Sequence, residues 1–194
     1  MKSTVFDTLQ KNFGAESIQK IDPNTQEINL ETPADINLVA QAVIPAVLTG
    51  LYKYTRTEAH SDNILRGNIS TDWVKILFGS NRHELSKRIA EYASIPVPIA
   101  AKALQHTSFE AVKLIRQRVK DEEGGAGVKK IMTDQRNQIL QHLPAALQLG
   151  EMLDDSSLDD RTNKMEGPVS SVMHAIEKTF AGTDQPGENK KPEL

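Results

Sequence analysis

The chain has 194 residues and a formal net charge of −3, with 38% hydrophobic and 25% charged residues. This balance is typical of a globular protein that buries a sizeable core, and it excludes a collagen-like or low-complexity chain. The sequence contains no cysteine. That absence excludes disulfides, thiol catalysis and cysteine-based zinc sites, and it is typical of a reducing compartment such as the cytoplasm.

The first predicted helix covers residues 4–13. Phe6, Leu9 and Phe13 share one face at helical spacing, and Gly14 follows the last turn. The same stretch has no apolar segment of the kind that signal peptides carry, so we expect no signal peptide there.

Residues 17–31 are the one segment in which strands are plausible. Ile28 and Leu30 alternate with polar residues, and the sequence DPN before them is a turn signal. A short hairpin and an extended linker both fit this pattern, and the linker is favoured.

A long central helix is predicted over residues 33–54, with Thr32 as its N-cap and Pro33 in its first turn. Its apolar residues cover more than one stripe, which is typical of a helix buried on most sides. Pro45 lies inside the helix and predicts a kink. The apolar stretch 36–51 is shorter than the roughly 20 residues that a membrane span needs. A buried core helix is therefore favoured.

Residues 55–68 are polar and predict a loop, with a short helical turn inside it as an alternative. Two short helices are expected after it, one that begins at Thr71 and ends at Gly79, and one that begins at Asn81. The apolar residues of the second helix recur at helical spacing, which places one face of it in the core.

Residues 88–105, RIAEYASIPVPIAAKALQ, have the pattern of a helix-turn-helix. The first helix resembles that of lac-type bacterial repressors, in which small residues allow the second helix to pack closely. Ser94 stands where that family usually has glycine. The second helix offers mostly proline, valine, isoleucine and alanine, which cannot hydrogen-bond to base edges. The pattern therefore favours a buried helix pair over a DNA reader, and we expect Ile99 and Ala100 to be buried.

The predicted second helix covers residues 98–105, and a separate basic helix is predicted over 108–120, with Ser108 as its cap. Residues 73–130 hold eleven lysines and arginines against six acidic residues, whereas both ends of the chain are acidic. This basic middle could steer an anion, or the fold could neutralise it. A solvated face is the favoured interpretation. Under the nucleic-acid alternative, the candidate phosphate contacts are Lys102, Lys113, Arg116 and Lys120.

The C-terminal part of the chain predicts a flexible joint at the glycine-rich residues 124–127 and a helix over 133–153. A last helix is predicted over 169–180, after Gly167 and Pro168. Residues 181–194 are polar and rich in proline and glycine, and they predict a disordered tail.

Two apolar segments of the chain echo each other: IPAVLTGL at 44–51 and LPAALQLG at 143–150. Both place proline within a predicted apolar helix. The echo could reflect a duplicated helical unit, covering residues 33–105 and 133–180, or two independent ways of bending a buried helix.

An acidic loop begins at Asp155 and resembles the calcium loop of an EF-hand. Asp160 replaces the glycine that makes the sharp bend at position six, and Gly167 and Pro168 interrupt the exiting helix. A solvated acidic linker is therefore favoured over a calcium site. The ligand positions one, three, five, seven, nine and twelve would be Asp155, Ser157, Asp159, Arg161, Asn163 and Glu166.

Catalytic patterns are sparse in this chain. The five histidines are far apart and form no HxxxH or HExxH pair, and neither a phosphate-binding glycine loop nor a GxSxG motif occurs. His142 lies in a predicted apolar helix and is better interpreted as a satisfied interior group than as a base. The sequence predicts no catalytic residue, no cofactor and no metal site.

The amphipathic N-terminal helix, the turn at Ser94, Ile95 and Pro96, and the elements Leu143-Pro144 and Ile44-Pro45 resemble the bacterial YidB-like family, a group of domains of unknown function. The resemblance implies a small all-helical fold with a repeated unit and no particular activity.

These observations predict an all-α, multihelical single domain over residues 1–180. The favoured function is a non-enzymatic role through protein–protein contacts, with an unidentified protein or with a second copy of the chain. The alternative is a nucleic-acid-associated protein that uses the helix-turn-helix unit and the basic helix. No membrane association is expected.

Overall fold

The computed structural model describes residues 3–14, 18–22, 37–67, 71–120 and 123–158, all within one compact unit. No β-strand occurs in these ranges, which confirms the predicted all-α, multihelical fold. Short 3₁₀ turns lie at Gly79–Asn81, Ala145–Leu147 and Ser156–Leu158. The helices in chain order are α1 (Val5–Asn12), α2 (Leu38–Tyr54), α3 (Glu58–Arg66), α4 (Trp73–Phe78), α5 (Arg82–Ala93), α6 (Val97–Arg118), α7 (Gly124–Asp134), α8 (Arg136–Gln141) and α9 (Leu149–Met152).

α1 is the predicted N-terminal helix, and a capping box begins it. Thr4 Oγ1 accepts a hydrogen bond from the backbone N–H of Asp7 at 3.0 Å, and the Asp7 carboxylate accepts one from the N–H of Thr4 at 3.0 Å. Burial alone would raise the pKa of Asp7, but its hydrogen bonds outweigh burial and lower it. The buried face of α1 carries Val5, Phe6 and Leu9 and packs against α2 and α6.

α2 is the centre of the fold, as predicted, because every residue from Ala40 to Leu51 is buried. Its neighbours are α1, α4, α5, α6, α7 and α8. The N-cap is Asn37, which accepts from the N–H of Ala40 at 3.0 Å, and not the predicted Thr32. Because Asn37 stands directly before the apolar residues and caps them, α2 begins at this position. α2 continues through Pro45, and the kink stays a prediction. None of the described helices has the length and hydropathy that crossing a bilayer requires.

Gly50 lets α4 approach α2 closely. A Cβ atom at this position would lie 2.8 Å from Cζ of Phe78. The Phe78 ring is buried, with 3% of the residue exposed, so it has no free space to move into.

Gly50→Ala is expected to lower the free energy of unfolding by about 1–2 kcal/mol, as measured by urea denaturation. Overpacking a core costs roughly 1–3 kcal/mol, whereas the higher helix propensity of alanine returns at most about 1 kcal/mol. The double variant Gly50→Ala with Phe78→Leu should show a favourable coupling energy, because the shorter side chain relieves the clash. A Gly50→Ala variant more stable than the wild type would contradict this account.

The segment predicted as a loop with at most a short helical turn, and the segment predicted as a flexible joint, form helices that pack against each other. α3 lies in the predicted loop, and Thr57 caps it by accepting from the N–H of His60 at 3.4 Å. α7 begins at Gly124, inside the predicted flexible joint. A Cβ atom at Gly125 would lie 2.6 Å from Oδ1 of Asp62, so glycine permits the close approach of α7 to α3. The prediction of a flexible joint at residues 124–127 was wrong. It considered the flexibility of glycine and not the close packing that a residue without a side chain allows.

α6 is one continuous helix where we predicted two, and Ser108 is not a cap. Ser108 is fully buried within α6, and its hydroxyl has no hydrogen-bond partner among the described residues. Small and apolar residues recur at helical spacing through the expected break and hold the helix against α2 and α5. These residues are Ala100, Leu104, Ala111 and Ile115.

The helix predicted over 133–153 is broken into α7's last turn, α8, a 3₁₀ turn and α9. Pro144 is extended and has no N–H to continue α8, and the residue before a proline avoids the helical region. Gln148, with a φ of 46°, separates the 3₁₀ turn from α9. Because Pro45 lies inside a continuous helix and Pro144 does not, the two segments of the sequence echo differ in conformation.

Residues 18–22 lie beside α2 and are held by Gln41, which is fully buried. Its amide oxygen accepts from the N–H of Gln19 at 2.7 Å. Its amide nitrogen donates to the carbonyls of Gln19 and His142, both at 2.9 Å. The last carbonyls of α8 have no partner within the helix. One of them, the Gln141 carbonyl, accepts a hydrogen bond from the N–H of Ile21 at 2.8 Å.

Several predictions concern residues outside the described ranges. The predicted hairpin or linker at 17–31 falls mostly outside them, as only residues 18–22 are described. The predicted helix over 169–180 and the predicted tail over 181–194 lie wholly outside them. These predictions stay predictions.

Candidate interaction site at the turn between α5 and α6

The turn between α5 and α6 joins the two helices of the predicted helix-turn-helix. α5 ends in a Schellman motif, in which the N–H of Ile95 donates to the Ala90 carbonyl at 2.9 Å and that of Ser94 to the Glu91 carbonyl at 3.3 Å. Ser94 is left-handed, with a φ of 53° and a ψ of 46°. Pro96 is extended and precedes the first turn of α6. The bihelical unit therefore exists as predicted.

Ser94→Gly is expected to raise the free energy of unfolding by about 0.5–1 kcal/mol. A left-handed residue with a Cβ atom costs roughly 1–2 kcal/mol, and the greater freedom of glycine in the unfolded chain offsets about 0.4–1 kcal/mol of the gain. Urea denaturation measures the difference. Ser94→Ala is the control, because it keeps the Cβ atom. Equal stabilisation by both variants would refute backbone strain as the cause.

Apart from Ser94, the exposed residues of this turn and of the start of α6 up to Ala101 are apolar. We call the exposed residues Pro96, Pro98, Ile99 and Ala101 the α5–α6 corner. Ile99 is 49% exposed, so our prediction that it is buried was wrong, whereas Ala100 is fully buried as predicted. Successive residues of a helix point about 100° apart, so an exposed Ile99 is compatible with a buried Ala100.

The corner differs from an ordinary exposed side chain. Ile76, at 41% exposed, is the other large exposed hydrophobic residue in the described part of the chain. Its neighbours are an exposed lysine and a buried leucine, so it stands alone along the chain. Single exposed hydrophobic residues are common on protein surfaces, whereas contiguous ones mark contact sites.

Opposite charges flank the corner along the chain. Glu91 lies in the last turn of α5, and Lys102 lies one turn after Ile99 in α6; both are exposed. Neither side chain forms an ion pair with another described residue. Two charges of opposite sign are therefore available beside an apolar centre.

The four candidate nucleic-acid contacts lie in different surroundings. Lys102 is exposed at the corner, but Lys113 pairs with Glu110 at 3.4 Å within α6. Lys120 is exposed beyond the end of α6. Arg116 is turned towards α3, so the candidate contacts of the predicted basic helix do not form one continuous exposed surface.

Arg116 caps the C-terminal end of α3. Its Nε atom donates to the Ile64 carbonyl at 2.5 Å, and its Nη2 atom donates to the Gly67 carbonyl at 2.6 Å. Burial lowers the pKa of Arg116, but a guanidinium stays charged at neutral pH. A positive charge is favourable at the C-terminal end of a helix, where backbone carbonyls lack partners.

Other arginines bind backbone carbonyls in the same way, and no local pattern in the sequence predicts these contacts. Arg88 donates to the Leu147 carbonyl at 3.2 Å, and Arg118 donates to the Thr4 carbonyl at 3.2 Å. These contacts join segments far apart in the chain. Some of the positive charges of residues 73–130 therefore bind the protein's own backbone.

No family model matches the chain, and no curated protein or solved structure matches it either. The resemblance to YidB-like domains stays a prediction.

The first position of the calcium-like loop is already occupied by protein contacts. The Asp155 carboxylate accepts from Arg56 Nη1 at 2.5 Å and from the Ser157 hydroxyl at 2.6 Å. Burial alone would raise the pKa of Asp155, but the hydrogen bond from Ser157 and the charge of Arg56 lower it. Positions five to twelve of the loop lie outside the described residues. Within the described ranges, no three His, Asp or Glu side chains could together hold a metal ion.

His142 is the satisfied interior group that we predicted. It is 8% exposed, its ring packs on that of Phe6 with centroids 4.8 Å apart, and Nδ1 donates to the Gln138 carbonyl at 2.6 Å. Burial lowers its pKa. Burial also raises the pKa of Tyr92 to about 12. Both groups are therefore neutral at pH 7, and neither lies on an open surface.

Proposed function

We propose that the chain is a non-enzymatic, cytoplasmic helical protein that acts through protein–protein contacts at the α5–α6 corner. The observation that carries the proposal is the exposure of Ile99 among exposed prolines and alanine at a rigid turn. Exposed, contiguous apolar surface costs free energy in water, and covering it with another protein recovers that free energy.

The geometry favours a protein partner over nucleic acid. The exposed residues at the start of the would-be recognition helix have no side-chain hydrogen-bond donor or acceptor for base edges; they are Pro96, Pro98, Ile99 and Ala101. Only Lys102 and Lys120 of the candidate contacts are exposed and free of ion pairs in the described structure.

A non-enzymatic role is supported by the state of the titratable groups. His142 is buried, Tyr92 is partly buried with its hydroxyl enclosed, both are neutral at pH 7, and Asp155 is bound to Arg56. General acid–base catalysis needs a group that exchanges protons with a substrate at a reachable surface. The described residues place none of these three groups in such a position.

Photo-crosslinking tests the proposal in the cells that produce the protein. A photoreactive phenylalanine analogue is placed at position 99, and in a control chain at position 76. We expect a covalent adduct with a protein at position 99 only, identified by mass spectrometry. Absence of any adduct at position 99, or equal adducts at both positions, would overturn the proposal. A nucleic-acid adduct that disappears as salt rises would favour the alternative instead.

A further inference from the structure

We propose that residues 145–158 form a releasable strap over a groove of the fold, and that the groove binds a leucine-rich acidic peptide once the strap opens. The strap consists of the 3₁₀ turns at 145–147 and 156–158 with α9 between them, each of three or four residues. This site adds to the proposed function and uses none of the residues of the α5–α6 corner.

The strap's own backbone does little to keep it in place. The N–H groups of residues 147, 148, 152–155 and 158 all donate to carbonyls within residues 144–158. Gln148 and Asp154 have φ angles of 46° and 52°, a conformation that residues with a Cβ atom rarely adopt. Helical turns this short do not persist in water by themselves. The strap therefore keeps its conformation through contacts with the rest of the fold.

Side chains around α5 hold the start and the middle of the strap. Arg88 Nη1 donates to the Leu147 carbonyl at 3.2 Å and to Oε1 of Gln148 at 2.6 Å. Asn81, directly before α5, donates from Nδ2 to the Met152 carbonyl at 2.6 Å. Two of these three acceptors are backbone carbonyls, so a different segment that follows the same course can accept the same bonds.

Two arginines beside Tyr52 hold the end of the strap. Arg56 donates to the Asp155 carboxylate at 2.5 Å and to the Ser157 hydroxyl at 3.1 Å, and Arg136 donates to the Ser157 carbonyl at 3.2 Å. Their guanidinium carbons lie 4.9 and 6.0 Å from the centroid of the Tyr52 ring, whose π face attracts the positive charge. The Arg56 side chain is 39% exposed, so water and salt compete with its ion pair.

Four buried leucines of the strap fill the groove. They belong to the same apolar cluster as Leu85 and Ile89 of α5, and the first 3₁₀ turn of the strap packs on α5. When the strap opens, the apolar floor of the groove is exposed to water, and another apolar segment can cover it. The four residues are Leu147, Leu149, Leu153 and Leu158.

The strap itself shows which peptide the groove accepts. Its sequence, AALQLGEMLDDSSL, combines the four leucines with three acidic residues and contains no lysine or arginine. Asp155 meets Arg56 at the end of the groove. We therefore expect the partner segment to carry leucines at this spacing with a carboxylate near its end, and to compete with the strap.

Hydrogen exchange of the full chain, followed by mass spectrometry, tests whether the strap opens by itself. We expect the bonded amides of the strap to exchange as a group, at least about tenfold faster than those of α2. Leu149→Asp should speed this group by about a hundredfold and leave α2 unchanged, because it places an unpaired carboxylate in the groove. Ala146→Asp adds the same charge at an exposed residue of the strap and should change neither rate.

Asp155→Lys opens the strap by a milder change, because it replaces an ion pair with Arg56 by a repulsion. We expect about tenfold faster exchange of the strap, whereas Glu151→Lys, the same change at an exposed residue, should have no effect. A strap that exchanges at the rate of α2 in both the wild type and the Asp155→Lys chain is an integral part of the core, and this result would overturn the proposal.

Fluorescence anisotropy with a labelled synthetic peptide of residues 144–158 tests the groove. The opening substitutions lie in the strap and leave the groove intact. Because only the open state binds, the affinity should rise with the open fraction, by about tenfold for Asp155→Lys over the wild type. The same peptide carrying Leu149→Asp should not bind. If the opened chains bind neither peptide, or bind both equally, the groove is not a binding site. Crosslinking at position 99 does not involve the groove, so the proposed function is tested separately.

Discussion

Gln41→Leu is expected to lower the free energy of unfolding by about 3 kcal/mol, the largest effect of any single polar substitution in the described fold. The amide of Gln41 bonds to three backbone groups, two in Gln19 and one in His142. Leucine has a similar volume but cannot replace any of these bonds. A buried backbone group left without a partner costs roughly 1–3 kcal/mol. Gln19 is partly exposed, so water can replace the bonds to its backbone groups but not the bond to the His142 carbonyl.

Urea denaturation gives the change in stability, and native-state hydrogen exchange locates it. The amide of Gln19 should exchange faster in the variant, because it loses its acceptor and the segment opens locally. Gln105→Leu, on the exposed face of α6, is the control and should change stability by less than about 0.5 kcal/mol. A Gln41→Leu variant within about 1 kcal/mol of the wild type would show that the amide does not hold the segment.

Arg116→Gln is expected to lower the free energy of unfolding by about 2–3 kcal/mol. The variant loses two hydrogen bonds from a charged donor, each worth roughly 1.5–3 kcal/mol, and glutamine is too short to reach both carbonyls. Because the side chain is partly exposed, water compensates some of the loss.

Arg116→Gln also tests whether Arg116 stabilises the fold or binds a ligand. Lys120→Gln removes the same charge from an exposed side chain and should change stability by less than about 0.5 kcal/mol. If Arg116→Gln is as stable as Lys120→Gln, then Arg116 does not cap α3, and its role as a phosphate contact regains support. Guanidine or urea denaturation of both variants at one salt concentration makes the comparison.

Helices that bury a continuous apolar face could be predicted from the sequence, and those that depend on contacts far along the chain could not. The spacing of Phe6 and Leu9 predicted α1, and the apolar run around Pro45 predicted α2. α3 fully buries only Ser61 and Ile64, and most of its residues are polar, so its composition is typical of a loop. α7 depends on its glycines packing against Asp62, which no local pattern indicates.

The turn at the candidate site was predicted correctly, but the exposure of Ile99 was not. The sequence indicated the turn at Ser94 and the apolar nature of the second helix. It did not indicate that Ile99 faces solvent, because an apolar residue next to a buried alanine satisfies a core pattern equally well. The role of Arg116 was beyond prediction, since its acceptors, Ile64 and Gly67, lie about fifty positions away in the chain.

The way Gln41 holds residues 18–22 has an evolutionary consequence. The amide recognises the backbone of Gln19 and makes no demand on the side chain at that position. Mutations at residue 19 are therefore free to accumulate, provided that the backbone N–H is kept, whereas residue 41 is constrained to an amide. In related sequences, glutamine should persist at position 41 while position 19 varies widely, with proline excluded because it has no N–H to donate.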